Sequence, residues 1–79
     1  MNHTVEESPE KITITFHTHK YSDSVAVSMK AFALGDKLNH HATVTTSYNK
    51  VVVEVTTHNV GNKVTIKDQE FKKLLLDGL

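Results

Sequence analysis

A chain of 79 residues makes one domain, of a size at which a lone hydrophobic core supplies only about 3–5 kcal/mol and self-association would help. Nine Lys/Arg balance nine Asp/Glu and form no basic stripe, so the footprint of a phosphate-backbone binder is missing and direct nucleic-acid contact is not expected. Without cysteine the chain has no disulfide, no thiolate chemistry and no cysteine-ligated zinc; the polar opening MNHTVEESPEK is unlike a secretory leader and no apolar run nears the roughly 20 residues of a membrane helix, so a cytoplasmic location off the membrane is expected.

Residues 1–10 hold little apolar material and the one proline, which predicts a flexible amino-terminal arm ahead of a folded domain over 11–79. In KITITFHTHK, Ile12, Ile14 and Phe16 alternate with Thr13, Thr15 and His17, the period of a half-buried strand. A helix follows, with Ser22 or Asp23 as its cap, and is expected to run to about Asn39. On it Val27, Ala31, Leu34 and Leu38 form one apolar ridge and Val25, Met29 and Phe32 a second, with the small residues Ser24, Ser28 and Gly35 between them. That spacing suits close docking on a flat sheet, with the Val25/Met29/Phe32 edge left for a second subunit.

Thr43 to Ser47 and Val51 to His58 read as two strands joined through Tyr48-Asn49-Lys50. Along the second, Val51, Val53, Val55 and Thr57 share a face. After a loop at Val60-Gly61-Asn62, Thr65-Ile66-Lys67-Asp68 resembles a capping box that opens a last helix, with Phe71, Leu74 and Leu75 inward. Strand, helix, strand, strand, helix predicts an α+β fold, an antiparallel sheet with α-helices packed on one face.

Six histidines are the compositional oddity. His40 and His41 stand side by side where the helix should end, and His58 closes a strand. Neutral imidazole gives or takes a proton near neutral pH, so three such rings around one pocket would serve as acid and base in one reaction; spacing alone leaves open that they are surface histidines at element ends. Zinc on the same three is the rival, but adjacent histidines chelate poorly and no HExxH occurs, so no metal is expected. His17 and His19 also share a strand face, where a solvent-facing pair is the plainer reading. Asp36 lies one helical turn before His40, close enough to orient its ring, unless it is simply a solvated charge. Asp68 is placed to complete the cap of the last helix, unless one of its oxygens faces the pocket.

Taken together, Asp36, His40, His41, Tyr48, His58 and Asp68 form the pattern D-x-x-x-H-H-x(6)-Y-x(9)-H-x(9)-D. This resembles the signature of the pterin-4a-carbinolamine dehydratases: an acidic residue, HHP, an aromatic, a TH pair and a later aspartate. The words KLNHH, YNKV, TTHN and FHTHKYSDSVAV extend the similarity over about residues 11 to 76. Three features depart from it. Ala42 replaces the proline, Val44 stands where a bulky aromatic is common, and the loop between His58 and Asp68 is about one residue longer. The amino-terminal helix and first strand of longer members have no counterpart in this reading, which makes the chain a short form of the fold.

The resemblance implies a hydro-lyase that dehydrates 4a-hydroxytetrahydrobiopterin to quinonoid dihydrobiopterin in tetrahydrobiopterin recycling, with no cofactor. By carry-over His40, His41 and His58 are the catalytic set, with His40 protonating the departing hydroxyl. Asp36, Asn39, Thr57, Asn59 and Asp68 belong to the pterin site. A homodimer or homotetramer is implied, and the alternative function is a catalytically weak module that binds a protein partner, since members of the family also act as dimerisation cofactors of a transcription factor.

Overall fold

The computed structural model describes residues 2–78. Strands β1 (Asn2–Glu7), β2 (Ile12–His17), β3 (Thr43–Ser47) and β4 (Lys50–Val55) form one antiparallel sheet in the order β1-β2-β4-β3, with helix α1 (Tyr21–Leu38) after β2 and helix α2 (Ile66–Asp77) at the end. The register sets Ile12 opposite Val55, Ile14 opposite Val53 and Phe16 opposite Val51. All six point to one side, where Val27 and Ala31 of α1 and Phe71 and Leu75 of α2 close the core. The α+β architecture expected from the alternating strands is therefore the one found, with both helices on the same face.

The amino-terminal arm is a correction. Asn2–Glu7 is a strand paired with β2, His3 opposite Phe16 and Glu7 opposite Ile12, so the folded unit starts well before residue 11 and a strand does precede β2. NHTVEE carries a single apolar residue and every position is exposed, so the apolar alternation that marks the other strands is missing. Backbone pairing at a sheet edge holds it instead. Ser8 shapes the turn into β2 by accepting hydrogen bonds from the amides of Glu10 and Lys11. Glu7 reaches across to α2, where Lys72 and Gln69 each donate to it at 2.8 Å.

Helix α1 starts two or three residues earlier than expected, from Lys20 in extended geometry without a side-chain cap. Ser22 and Asp23 are already inside the helix. Ser24 is fully buried and shares a 2.6 Å hydrogen bond with Thr18, while Ser28 donates to the Ser24 carbonyl and meets the Thr46 hydroxyl at 2.7 Å. The small face of α1 thus docks on the sheet as its composition suggested. Gly35 is buried for a related reason: a Cβ there would stand 3.2 Å from the Cα of His41 and 3.4 Å from the His40 carbonyl. That space lets the chain fold back over the helix as it leaves.

The departure itself is made by Asn39, at φ 51° and ψ 42°, the left-handed geometry that asparagine tolerates at a helix end. The His40 amide then donates back to the Gly35 carbonyl at 2.9 Å. At the other end of the hairpin, β4 stops at Val55 rather than His58. Thr57 makes a two-bond bridge with Lys63, and His58–Val60 forms a 3-10 turn inside it. Thr65 and Asp68 form the expected reciprocal capping box. Phe71 and Leu75 of α2 are buried as expected, but Leu74 is 38% exposed and looks outward.

Candidate functional site

Where α1 gives way to the histidine pair, the start of α2 comes alongside. The His40 ring is 12% exposed, and its Nε2 lies 2.6 Å from Oδ1 of Asp68, whose side chain is fully buried. The second oxygen, Oδ2, accepts from the Thr57 hydroxyl at 2.7 Å and from the Thr65 amide at 2.8 Å. One carboxylate therefore joins three segments: the exit of α1, the exit of β4 and the cap of α2. Both oxygens of Asp68 are thus engaged by the protein itself.

Burial by itself would raise the Asp68 carboxyl. The hydrogen bonds from His40, Thr57 and the Thr65 amide outweigh it and hold the group below its ordinary value of 3.8. A carboxyl depressed in the folded state adds stability that is complete above the unfolded value and is lost as pH falls through the folded one. Urea midpoints measured from neutral pH down through pH 3.8 are accordingly expected to fall, and to fall less steeply in Asp68→Asn, which has no proton to take up.

His40 also forms part of a cavity of about 290 Å³ with Leu38, Ile66, Lys67 and Glu70. This is at the lower end for a small-molecule site. Ile66 is 83% exposed, an apolar side chain held in solvent beside a buried acid–base pair. A wider groove continues outward along α2 past Gln69, Lys73 and Leu74, sharing Ile66 and Glu70; it contains no histidine. Lys67 and Glu70 were not foreseen from the sequence, where charged residues in the first turns of a helix read as a solvated face.

The other expected site residues fall in three places. His41 is 66% exposed, and its Nε2 stands 3.8 Å from Oδ1 of Asp36, itself 90% exposed. Asp36 thus approaches His41, not His40 as its helical spacing suggested, because the left-handed turn at Asn39 takes His40 off the helix. Asn39 is that turn residue. Thr57 is 3% exposed and its hydroxyl is spent on Asp68 and Thr65. His58 and Asn59 are exposed in the 3-10 turn, with Nδ1 of His58 at 2.9 Å from Oδ1 of Asn62.

The fold brings His40, Asp68 and Thr57 together, and Thr57 ties them through one peptide bond to His58. His41 and His58 are not among the residues lining the cavity beside His40. Among the described residues, no cluster of three or more His, Asp or Glu side chains has an arrangement suited to a metal ion, and no helix is long and apolar enough to cross a membrane.

Comparison with known proteins gives a consistent picture. A family model described as "Pterin 4 alpha carbinolamine dehydratase" matches residues 3–73. A protein of Sulfurisphaera tokodaii named "Putative pterin-4-alpha-carbinolamine dehydratase" is 39% identical over 59 residues, 75% of this chain and 62% of that protein. A Saccharolobus solfataricus protein of the same name is 37% identical over 76 residues, 89% of this chain and 78% of the relative. The chain thus spans less than two thirds of the Sulfurisphaera protein. Among solved structures, a "transcriptional coactivator/pterin dehydratase" from Brucella melitensis superposes with a TM-score of 0.80 at 27% identity, over 95% of this chain and 79% of that one.

Proposed function

Since this chain belongs to the pterin 4 alpha carbinolamine dehydratase family, we propose that it dehydrates a pterin-4a-carbinolamine to the quinonoid dihydropterin by histidine acid–base catalysis. The observation that carries the reading is the buried His40–Asp68 pair in the wall of a cavity. The reaction breaks the C4a–OH bond, releases the oxygen as water and converts N5–H into a C4a=N5 double bond. It therefore needs one group to give a proton to the hydroxyl and another to take one from N5.

His40 is the acid. Its Nε2–H is committed to Asp68, so Nδ1 is the ring nitrogen left to exchange a proton with substrate, and the carboxylate balances the charge of the protonated ring. His58 is the base. Leu38 and Ile66 offer apolar surface to the flat heterocycle, which extends from the cavity towards the exposed rings of His41 and His58; Asn39 and Asn59 supply polar contacts at its edge. Asp36 orients His41, while Thr57 and Asp68 act by holding His40. The test is the loss of the carbinolamine's ultraviolet signal with and without purified protein. Acceleration over the uncatalysed rate supports the reading, and an unchanged rate rejects it.

The protein is further proposed to act as a homo-oligomer. Met29 and Phe32 are 63% and 56% exposed on one side of α1, alongside the half-buried Val25, and a second copy would cover this edge. Light scattering is expected to give a multiple of the 8.8 kDa chain mass, reduced to one chain by Met29→Lys with Phe32→Lys. A monomeric wild type contradicts this.

A further inference from the structure

Between β4 and α2 the two-bond bridge from Thr57 to Lys63 closes a short loop, so that His58 and Asn62 are the first residues inside it on either side. Two consecutive left-handed residues, Gly61 at φ 77° and Asn62 at φ 59°, turn the chain back. Glycine meets that demand without cost, and asparagine is among the few side chains that tolerate it. The consequence is a hydrogen bond of 2.9 Å between Nδ1 of His58 and Oδ1 of Asn62. The proton transfers assigned to His40 and His58 do not themselves involve Asn62.

We propose that Asn62 is a positioning residue that holds His58 in the Nδ1–H tautomer, so that Nε2 is the unprotonated nitrogen offered to substrate. The claim rests on the reading of His58 as the base. A neutral imidazole has one N–H and one lone pair, and the partner of one nitrogen decides the state of the other. A carboxamide oxygen only accepts, so the ring nitrogen facing it carries the proton. In water an unconstrained histidine side chain favours the opposite form, with the proton on Nε2; the contact reverses that default.

The two rings then divide the work. His40 gives its Nε2–H to Asp68 and exchanges protons through Nδ1, whereas His58 gives its Nδ1–H to Asn62 and receives a proton at Nε2. The lone pair of His58 sits at the outer end of the ring, with the greater reach towards a bound heterocycle. Were the amide turned over, its NH2 would donate to Nδ1 and the proton would sit on Nε2, closing that position to a proton from N5.

The test is the pattern of ring 15N shifts of His58, recorded at a pH where imidazoles are neutral, together with carbinolamine kinetics. Asn62→Gly removes the acceptor while keeping the left-handed backbone free of strain; Asn62→Asp keeps an acceptor oxygen. Wild type and Asn62→Asp are expected to show the Nδ1–H form, and Asn62→Gly a return to mainly Nε2–H. In parallel, kcat should fall about five- to tenfold in Asn62→Gly, the worth of one hydrogen bond, with KM little changed and kcat largely restored in Asn62→Asp. A wild-type ring protonated at Nε2, or a tautomer indifferent to Asn62→Gly, overturns the proposal. If the wild type has no dehydratase activity the reading of the reaction fails, and the spectra still decide the tautomer on their own.

Discussion

His40→Ala is expected to slow carbinolamine dehydration by roughly 10²- to 10⁴-fold, the range for removal of a positioned acid or base, and His58→Ala is expected to fall in the same range. His41→Ala should cost less, because its ring is two-thirds exposed and meets Asp36 only at 3.8 Å. The alanine at residue 40 also strips a donor from a buried carboxylate, a loss of about 1–3 kcal/mol, so activity and folding would fall together. His40→Gln separates them. Its amide N–H reaches towards Asp68 much as Nε2–H does, but it shuttles no proton. Activity should be lost in both variants while the urea midpoint drops mainly in the alanine; a glutamine variant with near-normal kcat would show that residue 40 is not the acid.

Asp68→Ala has the largest expected effect on folding. The substitution leaves the Thr57 hydroxyl, the Thr65 amide and the His40 ring without their acceptor and removes half of the capping box. Breaking a buried pair of this kind costs about 3–5 kcal/mol, and a cap adds roughly 1 kcal/mol. A domain of this size has little more than that to lose. The variant is expected to be largely unfolded at 37 °C by circular dichroism, or to recover only with bound ligand. A melting curve close to wild type would mean that the three segments hold together without the carboxylate.

How much of this was legible in the sequence depended on where each signal resides. Ile12, Ile14 and Phe16, and again Val51, Val53 and Val55, announce their strands because one face is buried and the period of two is clean. Ser24, Ser28 and Gly35 disclosed the docking face of α1 because small residues at helical spacing fall on one buried side. Strand β1 was hidden because an edge strand exposed along its length needs no apolar alternation, only backbone pairing.

The site was half legible. The residue types and their spacing carried the family resemblance, and the capping box at Thr65 and Asp68 was plain. The partner of His40 was not. Local spacing offers Asp36, but the left-handed Asn39 ends the helical geometry one residue before the ring, and the carboxylate that reaches it comes from 28 residues away. Contacts made only once α2 has packed beside α1 leave no periodic trace. The same holds for Lys67 and Glu70 beside the cavity, and for Asn62, whose contact with His58 follows from a loop closure that composition does not encode.

The proposed catalysis requires His40 and His58 to act from two sides on one pterin. A crystal structure of the protein with a stable reduced pterin tests it most directly. The expected complex holds the bicyclic ring between Leu38 and Ile66, with His40 at its C4a side and Nε2 of His58 within hydrogen-bonding reach of N5. A pterin bound away from His40, or a His58 ring out of reach of the ligand in every subunit, would contradict it.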